Sequence, residues 1–486
     1  MGFLWYDLET FGRDPRRSRI AQFAAVRTDE DLVEVDDPVS LFCRPAHDLL
    51  PSPIAATITG ITPQQADRDG VVEADFIGRV HELMAMPGTC SVGYNNLRFD
   101  DEFVRYTLYR NFHDAYEREW RNGNSRWDLL DVLRLAHALR PEGLAWPTRA
   151  DGFTSFRLED LATANGVREG MAHEALSDVR ALVALARRLR AVQPKFWDYV
   201  LKLRNKRYVQ SLLDVAGHTP VLHVSGRLPA SSRHAALVAP LGRDPAIENR
   251  VVVYDLSVDP ASFDGLDASA LADRLFTPRG DLPDDIVRLP IKRIEANRCP
   301  AVLPLAHVRD RELEALGLDR SRAERHIAAL RERPGFVEAC VHLLAAPREA
   351  AVVDADAALY EGFLPEADRR LFPRVRGTPP RELASLAGRF TDGRCVDLLF
   401  RYQARNWPET LDATQAAAWD DYRRARFAPG STLGELDGPG FLAELAEARR
   451  ADVDGRQATV LDAVEAWGRA RLAEVAAPGL DAGDPG

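Results

Sequence analysis

Cysteine, lysine and long apolar runs are all scarce in this chain of 486 residues. The 5 cysteines are scattered and form no Cys-x-x-Cys pair, so their spacing indicates neither a disulfide framework nor a zinc site. We expect them to be small, buried side chains. No apolar run approaches the ~20 residues that span a bilayer, and no basic-plus-apolar leader is visible. These absences predict a cytoplasmic protein that does not engage membranes.

Positive charge is also in deficit. Lysine and arginine total 63 against 74 acidic residues, which gives a net charge of −11. Nucleic-acid binding normally needs a basic face, so the balance argues at first sight against such a partner. It does not exclude one, because a metal-dependent nuclease concentrates carboxylates at its site while basic residues line a groove. Arginine, which binds phosphate bidentately, would supply most contacts, since the only lysines are Lys195, Lys202, Lys206 and Lys292.

The length suggests about two to four domains. Short β-rich runs alternate with helical periodicity in residues 1–195, which predicts an α/β domain with a mixed sheet. Residues 196–350 read as a β-rich domain with helical insertions, and residues 355–475 as a helical domain. The tail, residues 476–486, is rich in Gly, Pro and Asp, and this composition predicts disorder.

The first strand carries two candidate metal ligands. Side chains alternate along a strand, so Asp7 and Glu9 project from one face while Leu8 points into the protein. Two carboxylates this close repel each other unless protons or cations intervene, and hard oxygen ligands suit Mg²⁺ or Mn²⁺. Taken alone, this motif is more often a solvated acidic pair at a sheet edge.

Two further motifs lie later in the same domain. Asp100 and Asp101 follow a strand and a Gly-Tyr-Asn-Asn turn and open a helix, where a capping role is the commoner alternative. His173 stands before a long helix with Asp178 five residues on, so the imidazole could take a proton from water while Asp178 binds metal. A surface or capping histidine is the alternative. Each signal is weak alone, and their conjunction in one α/β domain indicates metal-dependent chemistry.

This order of motifs resembles the DEDDh exonucleases, whose ribonuclease-H-like domain holds two metals between four carboxylates. Longer stretches, between residue 4 and about residue 426, resemble the bacterial exodeoxyribonuclease I family; they include FAAVRTD, ITGITPQQA, GYNNLRFDDE, NSRWDLLDVLR and LLFRYQARNWPETLD. The resemblance implies an exonuclease domain, an SH3-like β-barrel domain and an all-helical C-terminal domain. Together they would clasp a single DNA strand.

The resemblance also implies the reaction: processive 3′-to-5′ degradation of single-stranded DNA to 5′-mononucleotides, in DNA repair and recombination, by a monomer. It assigns metal ligation to Asp7, Glu9 and Asp178, with Asp100 assisting. Two Mg²⁺ ions, or Mn²⁺ as the alternative, would lie about 4 Å apart. His173 would be the general base, because its unperturbed pKa of ~6.5 suits proton uptake at neutral pH.

Contacts to DNA are implied less directly. Glu9 would also touch the terminal sugar, and Arg157 stands where the family carries an arginine at the site. Basic grooves and stacking aromatic rings hold single strands without regard to sequence. Side chains of these types that would contact the strand are Arg105, Tyr116, Trp120, Arg134, Arg140 and Lys206.

A protein partner follows from the same resemblance. Nucleases of this family are recruited by the acidic, Phe-ended tail of single-stranded DNA-binding protein. Tyr199, Arg309 and Arg331 match positions associated with that contact. Thr219 and Pro304 depart from the pattern nearby, where polar or basic partners are expected, and a solvated arginine stripe on a helix is the alternative for Arg331.

Two other functions remain open at this point. The same five catalytic side chains serve RNA-trimming and proofreading exonucleases, and a preference for RNA over DNA of equal sequence would identify one of these. A catalytically inactive clamp for single strands is the other alternative. Such a clamp would bind DNA without hydrolysing it in the presence of Mg²⁺.

Overall fold

The computed structural model describes residues 2–168, 175–345 and 353–476. The chain divides into two compact units, each assembled from segments that are distant in sequence. The first unit comprises residues 1–124, 169–180 and 350–486, and the second comprises residues 125–168 and 181–349. The three-domain boundaries expected from the sequence stay a prediction.

Strands and helices alternate through the described part of residues 2–192. The strands are β1 (Gly2–Thr10), β2 (Ile20–Thr28), β3 (Val39–Phe42), β4 (Thr89–Gly93) and β5 (Ser125–Asp128). The helices are α1 (Pro53–Thr59), α2 (Pro63–Asp69), α3 (Glu73–Ala85), α4 (Asp100–Arg110), α5 (Leu129–Leu139), α6 (Leu158–Ala164) and α7 (Ala175–Val192). Helix α7 ends at Val192, just before Gln193 and Pro194, where the sequence predicted that proline would stop it.

The sheet of the first unit is mixed, which confirms the predicted α/β class. Its strands lie in the order β3-β2-β1-β4, with β1 antiparallel to β2 and parallel to β4. The pairing register of β1 with β2 shifts between Glu9 and Thr10, as at a β-bulge. Apolar side chains of β1 and β2 pack against α3 and α4, including Leu4, Phe23, Phe76 and Phe103. The first strand is therefore central, and it carries the Asp-x-Glu motif.

The second unit contains an antiparallel five-stranded sheet in the order β10-β6-β7-β8-β9. Its strands are β6 (Val221–Val224), β7 (Ala235–Arg243), β8 (Arg250–Asp255), β9 (Ile291–Glu295) and β10 (Ala301–Pro304). Helices in this part of the chain are α8 (Pro194–Lys202), α9 (Lys206–Leu212), α10 (Ala268–Phe276), α11 (Asp310–Ala315), α12 (Arg320–Arg331) and α13 (Pro334–Ala345). The sequence predicted β6 to β8, α11 and α12. It missed β9 and β10, which are short and are interrupted by charged residues or proline.

The described C-terminal residues of the first unit are helical, as predicted. They form α14 (Glu366–Arg369), α15 (Phe372–Arg376), α16 (Gly393–Asn406), α17 (Ala413–Phe427), α18 (Gly438–Ala451) and α19 (Ala458–Val475), with 3₁₀ turns at Ala355–Tyr360 and Pro380–Arg389. A single helix over 366–372 was wrong: α14 ends at Arg369 and α15 begins at Phe372, with Pro373 in its first turn, where proline is tolerated. The prediction of a disordered tail falls on residues 477–486, outside the described residues.

Buried ion pairs join the N-terminal and C-terminal segments inside the first unit. Arg405 Nη2 donates to Asp48 Oδ2 at 2.9 Å, and its guanidinium also binds Asp356. Arg19 lies 3.6 Å from both Glu73 and Asp356. All five side chains are almost completely buried. The C-terminal helices are thus bound to the α/β segment by charges as well as by apolar contacts.

The cysteines are mostly buried, as the sequence analysis expected. The thiols are free; Cys299 is half-buried, and the buried ones are Cys43, Cys90, Cys340 and Cys395. None of the described helices combines the length and the apolar character that crossing a membrane requires.

Candidate active site

Three acidic side chains of the first unit converge at one point. The strand β1 presents Asp7 and Glu9 on one face, and the first turn of α7 presents Asp178. One carboxylate oxygen from each residue lies within 4.8 Å of the others. Glu9 is buried, and Asp7 and Asp178 are half-buried. The fold therefore brings together three of the four acids that the sequence singled out as metal ligands.

The environment of this cluster disfavours the ionised form of its carboxyl groups. Burial, followed by repulsion from Asp178, raises the pKa of Asp7 to about 8, against a small opposing effect of the Leu8 backbone amide. Burial, and then the charges of Asp7, Asp178 and Asp100, raise the pKa of Glu9 to about 9. At neutral pH the cluster would hold protons where it holds no cation. A divalent cation would compete with those protons for the same oxygens.

Asp100 is the fourth predicted acid. It is the first residue of α4 and is 4% exposed. Its negative charge contributes to the raised pKa of Glu9. It is not one of the three residues whose carboxylate oxygens lie within 4.8 Å of one another. The capping alternative raised by the sequence does not apply, because Phe99 occupies the cap position. Asp100 is therefore electrostatically coupled to the cluster from the neighbouring helix.

Asp101, next to Asp100 in α4, belongs to a buried hydrogen-bond network. The Tyr6 hydroxyl donates to Asp101 Oδ1 at 2.7 Å, and Arg118 Nη2 donates to the same oxygen at 2.6 Å. Asn96 Nδ2 lies 3.4 Å from the Tyr6 hydroxyl oxygen. The sequence analysis missed this network, because Arg118 lies in a short 3₁₀ helix far along the chain from Tyr6. The paired aspartates were its only visible signal.

The predicted general base lies in a part of the chain that is not described. His173 and Glu174 are outside the described residues, which resume at Ala175. Asp178, three residues further on, belongs to the cluster. The role of His173 stays a prediction.

Predicted DNA contacts of the first unit differ in their accessibility. The Arg105 side chain is 7% exposed and donates to both oxygens of Glu119, at 2.7 and 2.8 Å, as well as to Glu102. Its guanidinium lies 5.4 Å from the centre of the Tyr116 ring. Trp120, in contrast, is 65% exposed. Trp120 therefore offers an accessible aromatic face, while Arg105 is engaged within the protein.

The second unit carries the remaining predicted DNA contacts. Arg134 Nη1 donates to Asp131 at 2.9 Å, and its guanidinium lies 5.7 Å from the Phe156 ring. Arg157 is exposed at the residue before α6, and Lys206 is exposed at the first position of α9. Contact of these side chains with DNA stays a prediction.

The predicted partner contacts also lie in the second unit. Arg309 pairs with the carboxylate of Glu312, which also pairs with Arg140, one of the predicted DNA contacts. Arg331 Nη2 donates to a backbone carbonyl at 2.6 Å, and the half-buried Tyr199 hydroxyl donates to another at 2.7 Å. The recruitment role of these side chains is likewise still a prediction.

Three family models match the chain in succession: "Exonuclease" over residues 4–186, "Exonuclease I SH3-like domain" over 204–345, and "Exonuclease I C-terminal domain" over 353–471. Exodeoxyribonuclease I of Escherichia coli (strain K12) is 43% identical over 90% of this chain and 92% of that protein.

Solved structures of exonuclease I are similar to this chain over nearly its whole length. The moderately thermophilic exonuclease I of Methylocaldum szegediense is 45% identical, with a TM-score of 0.91 over 97% of this chain and 99% of that one. E. coli exonuclease I in complex with a dA16 oligonucleotide has a TM-score of 0.92 at 40% identity, over the same shares. Other similar structures are a zinc-bound complex of the E. coli enzyme with single-stranded DNA and an SSB/exonuclease I structure with an inhibitor.

These matches, spread over all three regions of the chain, confirm the exonuclease domain with its mixed sheet, the SH3-like domain and the helical C-terminal region. The chain is an enzyme that belongs to the exodeoxyribonuclease I family.

Proposed function

We propose that this exonuclease removes nucleotides from the 3′ end of single-stranded DNA and releases 5′-mononucleotides by metal-dependent hydrolysis, in DNA repair and recombination. The observation that carries the proposal is the convergence of Asp7, Glu9 and Asp178. Its support in the relatives is an exonuclease I that binds a dA16 oligonucleotide. The same acids would serve an RNA-trimming enzyme, so the choice of DNA as substrate rests on the relatives that bind DNA oligonucleotides.

The donor set fits a divalent cation. Carboxylate oxygens are hard ligands, and the raised pKa values of Asp7 and Glu9 indicate that the cluster needs positive charge to remain ionised at neutral pH. Asp7, Glu9 and Asp178 would hold Mg²⁺, or alternatively Mn²⁺, with Asp100 assisting. Two bound ions would activate water and stabilise the leaving 3′-oxygen.

The protein's own residues then complete the chemistry. We assign proton removal from the attacking water to His173, because an imidazole titrates near neutral pH. Glu9 would also orient the terminal sugar. Arg157 would bind a phosphate, since its exposed guanidinium can donate two parallel hydrogen bonds.

Binding of the strand away from the chemistry would use basic and aromatic side chains. Of the proposed contacts, Trp120, Arg157 and Lys206 are exposed. The SSB/exonuclease I structure supports recruitment by single-stranded DNA-binding protein. We assign the contact on this chain to Tyr199, Arg309 and Arg331. A monomeric state and a cytoplasmic location stay predictions.

The test is a digestion of oligonucleotides labelled separately at each end, with and without Mg²⁺. Single-stranded DNA, duplex DNA and RNA of equal sequence are compared. We expect rapid loss of a 3′ label from single-stranded DNA only, release of mononucleotides, and no reaction in EDTA. Preference for RNA would identify an RNA-trimming enzyme instead, and binding without hydrolysis would identify an inactive clamp.

A further inference from the structure

A buried network connects the two elements that carry Asp7 and Asp100. The hydroxyl of Tyr6 and the guanidinium of Arg118 both donate to Asp101 Oδ1, at 2.7 and 2.6 Å. Tyr6 is 1% exposed, and the side chains of Asp101 and Arg118 are fully buried. None of the three is among the acids that converge at the cluster.

The network lies one residue away from the chemistry on both sides. Tyr6 precedes Asp7 in β1, so the two side chains leave opposite faces of the strand. Asp101 follows Asp100 in the first turn of α4. A hydrogen bond between Tyr6 and Asp101 therefore fixes the separation of β1 and α4 at the level of the acidic cluster.

The bond is suited to that task because it is fully buried, and its 2.7 Å length is that of a well-formed O–H···O hydrogen bond. A hydroxyl that donates to a carboxylate makes a shorter and stronger bond than one between neutral groups. The buried guanidinium of Arg118 donates to the same oxygen and fixes the carboxylate from its other side. Close packing of Tyr6 against Phe23 restricts the ring further.

We propose that Tyr6, Asp101 and Arg118 are positioning residues for the metal-dependent reaction, a role that rests on the proposed function. They set the place of Asp100 relative to Asp7 and Glu9, and so the geometry that the cation meets. Displacement of a reacting group by ~1 Å can cost about 100-fold in rate. Loss of one hydroxyl from this network shifts the helix by less, so we expect a smaller effect.

The test compares two Tyr→Phe variants. Tyr6→Phe removes the hydroxyl from the network. Tyr109→Phe is the matched control, because Tyr109 lies on α4, is 4% exposed, and its hydroxyl has no hydrogen-bond partner among the described residues. For Tyr6→Phe we expect a kcat about 10-fold lower than that of the parent and a several-fold higher Mg²⁺ concentration at half-maximal activity. The KM for single-stranded DNA should stay within about two-fold of the parent value.

A second readout does not depend on turnover. Calorimetric titration of Mn²⁺ into the DNA-free protein should show several-fold weaker affinity for Tyr6→Phe and unchanged affinity for Tyr109→Phe. Asp101→Asn keeps an acceptor for Tyr6 but removes the charge that faces Arg118, so it should weaken Mn²⁺ binding in the same direction.

The outcomes separate the two proposals. If the parent enzyme hydrolyses DNA and both Phe variants match it in kcat and Mn²⁺ affinity, the positioning role is wrong. A lower Tm with unchanged kcat and Mn²⁺ affinity would also overturn it, because the network would then serve stability alone. If the parent protein itself fails to hydrolyse single-stranded DNA, it is the proposed function that fails.

Discussion

At the scale of single residues, the carboxylates of the cluster favour chemistry at the expense of stability. Asp7 and Glu9 are held where burial, and then repulsion from neighbouring carboxylates, raise their pKa values to about 8 and about 9. A site that disfavours its own ionised form binds cations well, because the cation relieves the repulsion. Such unfavourable placement is common where function requires it.

Asp7→Asn tests this trade-off. The amide removes one negative charge from the cluster, so we expect activity to fall about 100-fold or more, a loss of roughly 2.7 kcal/mol of transition-state stabilisation. In EDTA at neutral pH the variant should melt about 2–4 °C above the parent, because folding no longer buries a carboxylate that must either take up a proton or face like charges.

The same measurement with Mg²⁺ provides the control. Saturating Mg²⁺ should raise the Tm of the parent and leave that of Asp7→Asn nearly unchanged. Full activity in the variant, or an equal Mg²⁺ effect on both proteins, would contradict the ligand role of Asp7.

At the scale of secondary-structure elements, two histidines with lowered pKa values pack together beyond the C-terminal end of α4. The rings of His81, from α3, and His113, just after α4, lie 4.9 Å apart. Burial, then the charges of Arg376 and His81, lower the pKa of His113 to about 3. Burial and Arg376 also lower the pKa of His81, with Arg118 acting in the same direction and Glu117 and Glu82 opposing.

These values predict acid sensitivity with a definite sign. The folded-state pKa of His113 is depressed, so its contribution to stability is present above the unfolded pKa of ~6.5 and is lost as the pH falls towards 3. Between pH 7 and pH 5 the unfolded chain gains a proton that the folded chain does not. The expected loss is about 2 kcal/mol in the free energy of unfolding.

Replacement of the titrating ring isolates this effect. Urea unfolding of His113→Gln should show a weaker decline in stability from pH 7 to pH 5 than the parent shows. His342→Gln is the control, because His342 is exposed on α13. An identical pH slope for His113→Gln and the parent would refute the assignment.

At the scale of the whole molecule, the first unit is built from the two ends of the chain, and buried charges join them. Arg405 of α16 contacts Asp48 and Asp356, both of which are almost fully buried. Burial alone would raise the pKa values of both acids, but pairing with arginines outweighs it and holds these pKa values well below the usual range. Removal of one partner from such a group leaves unpaired charge in a low-dielectric interior.

Arg405→Met should therefore destabilise the protein by about 3–5 kcal/mol. Arg469→Met is the matched control, since Arg469 pairs with Glu465 on the surface of α19 and should cost less than about 1 kcal/mol. Thermal or urea unfolding of both variants provides the comparison. Similar losses for the two would show that the buried network contributes little.

Local pattern determined much of this protein. The alternation of side chains along β1 is enough to place Asp7 and Glu9 on one face, and the apolar runs of β1, β2 and β6 to β8 identify those strands. Family resemblance in GYNNLRFDDE and the other quoted stretches supplied the domain types. These features are short-range, and a single stretch of sequence contains them in full.

Only the tertiary structure decided the rest. The helix α16 escaped prediction because Arg401 and Arg405 interrupt its apolar pattern, and their charges are acceptable only where Asp354 and Asp356 pair with them. The contact of Tyr6 with Asp101 spans 95 residues. No local pattern records such a distance, because packing between separate elements, rather than the preference of any one segment, determines which buried polar groups meet.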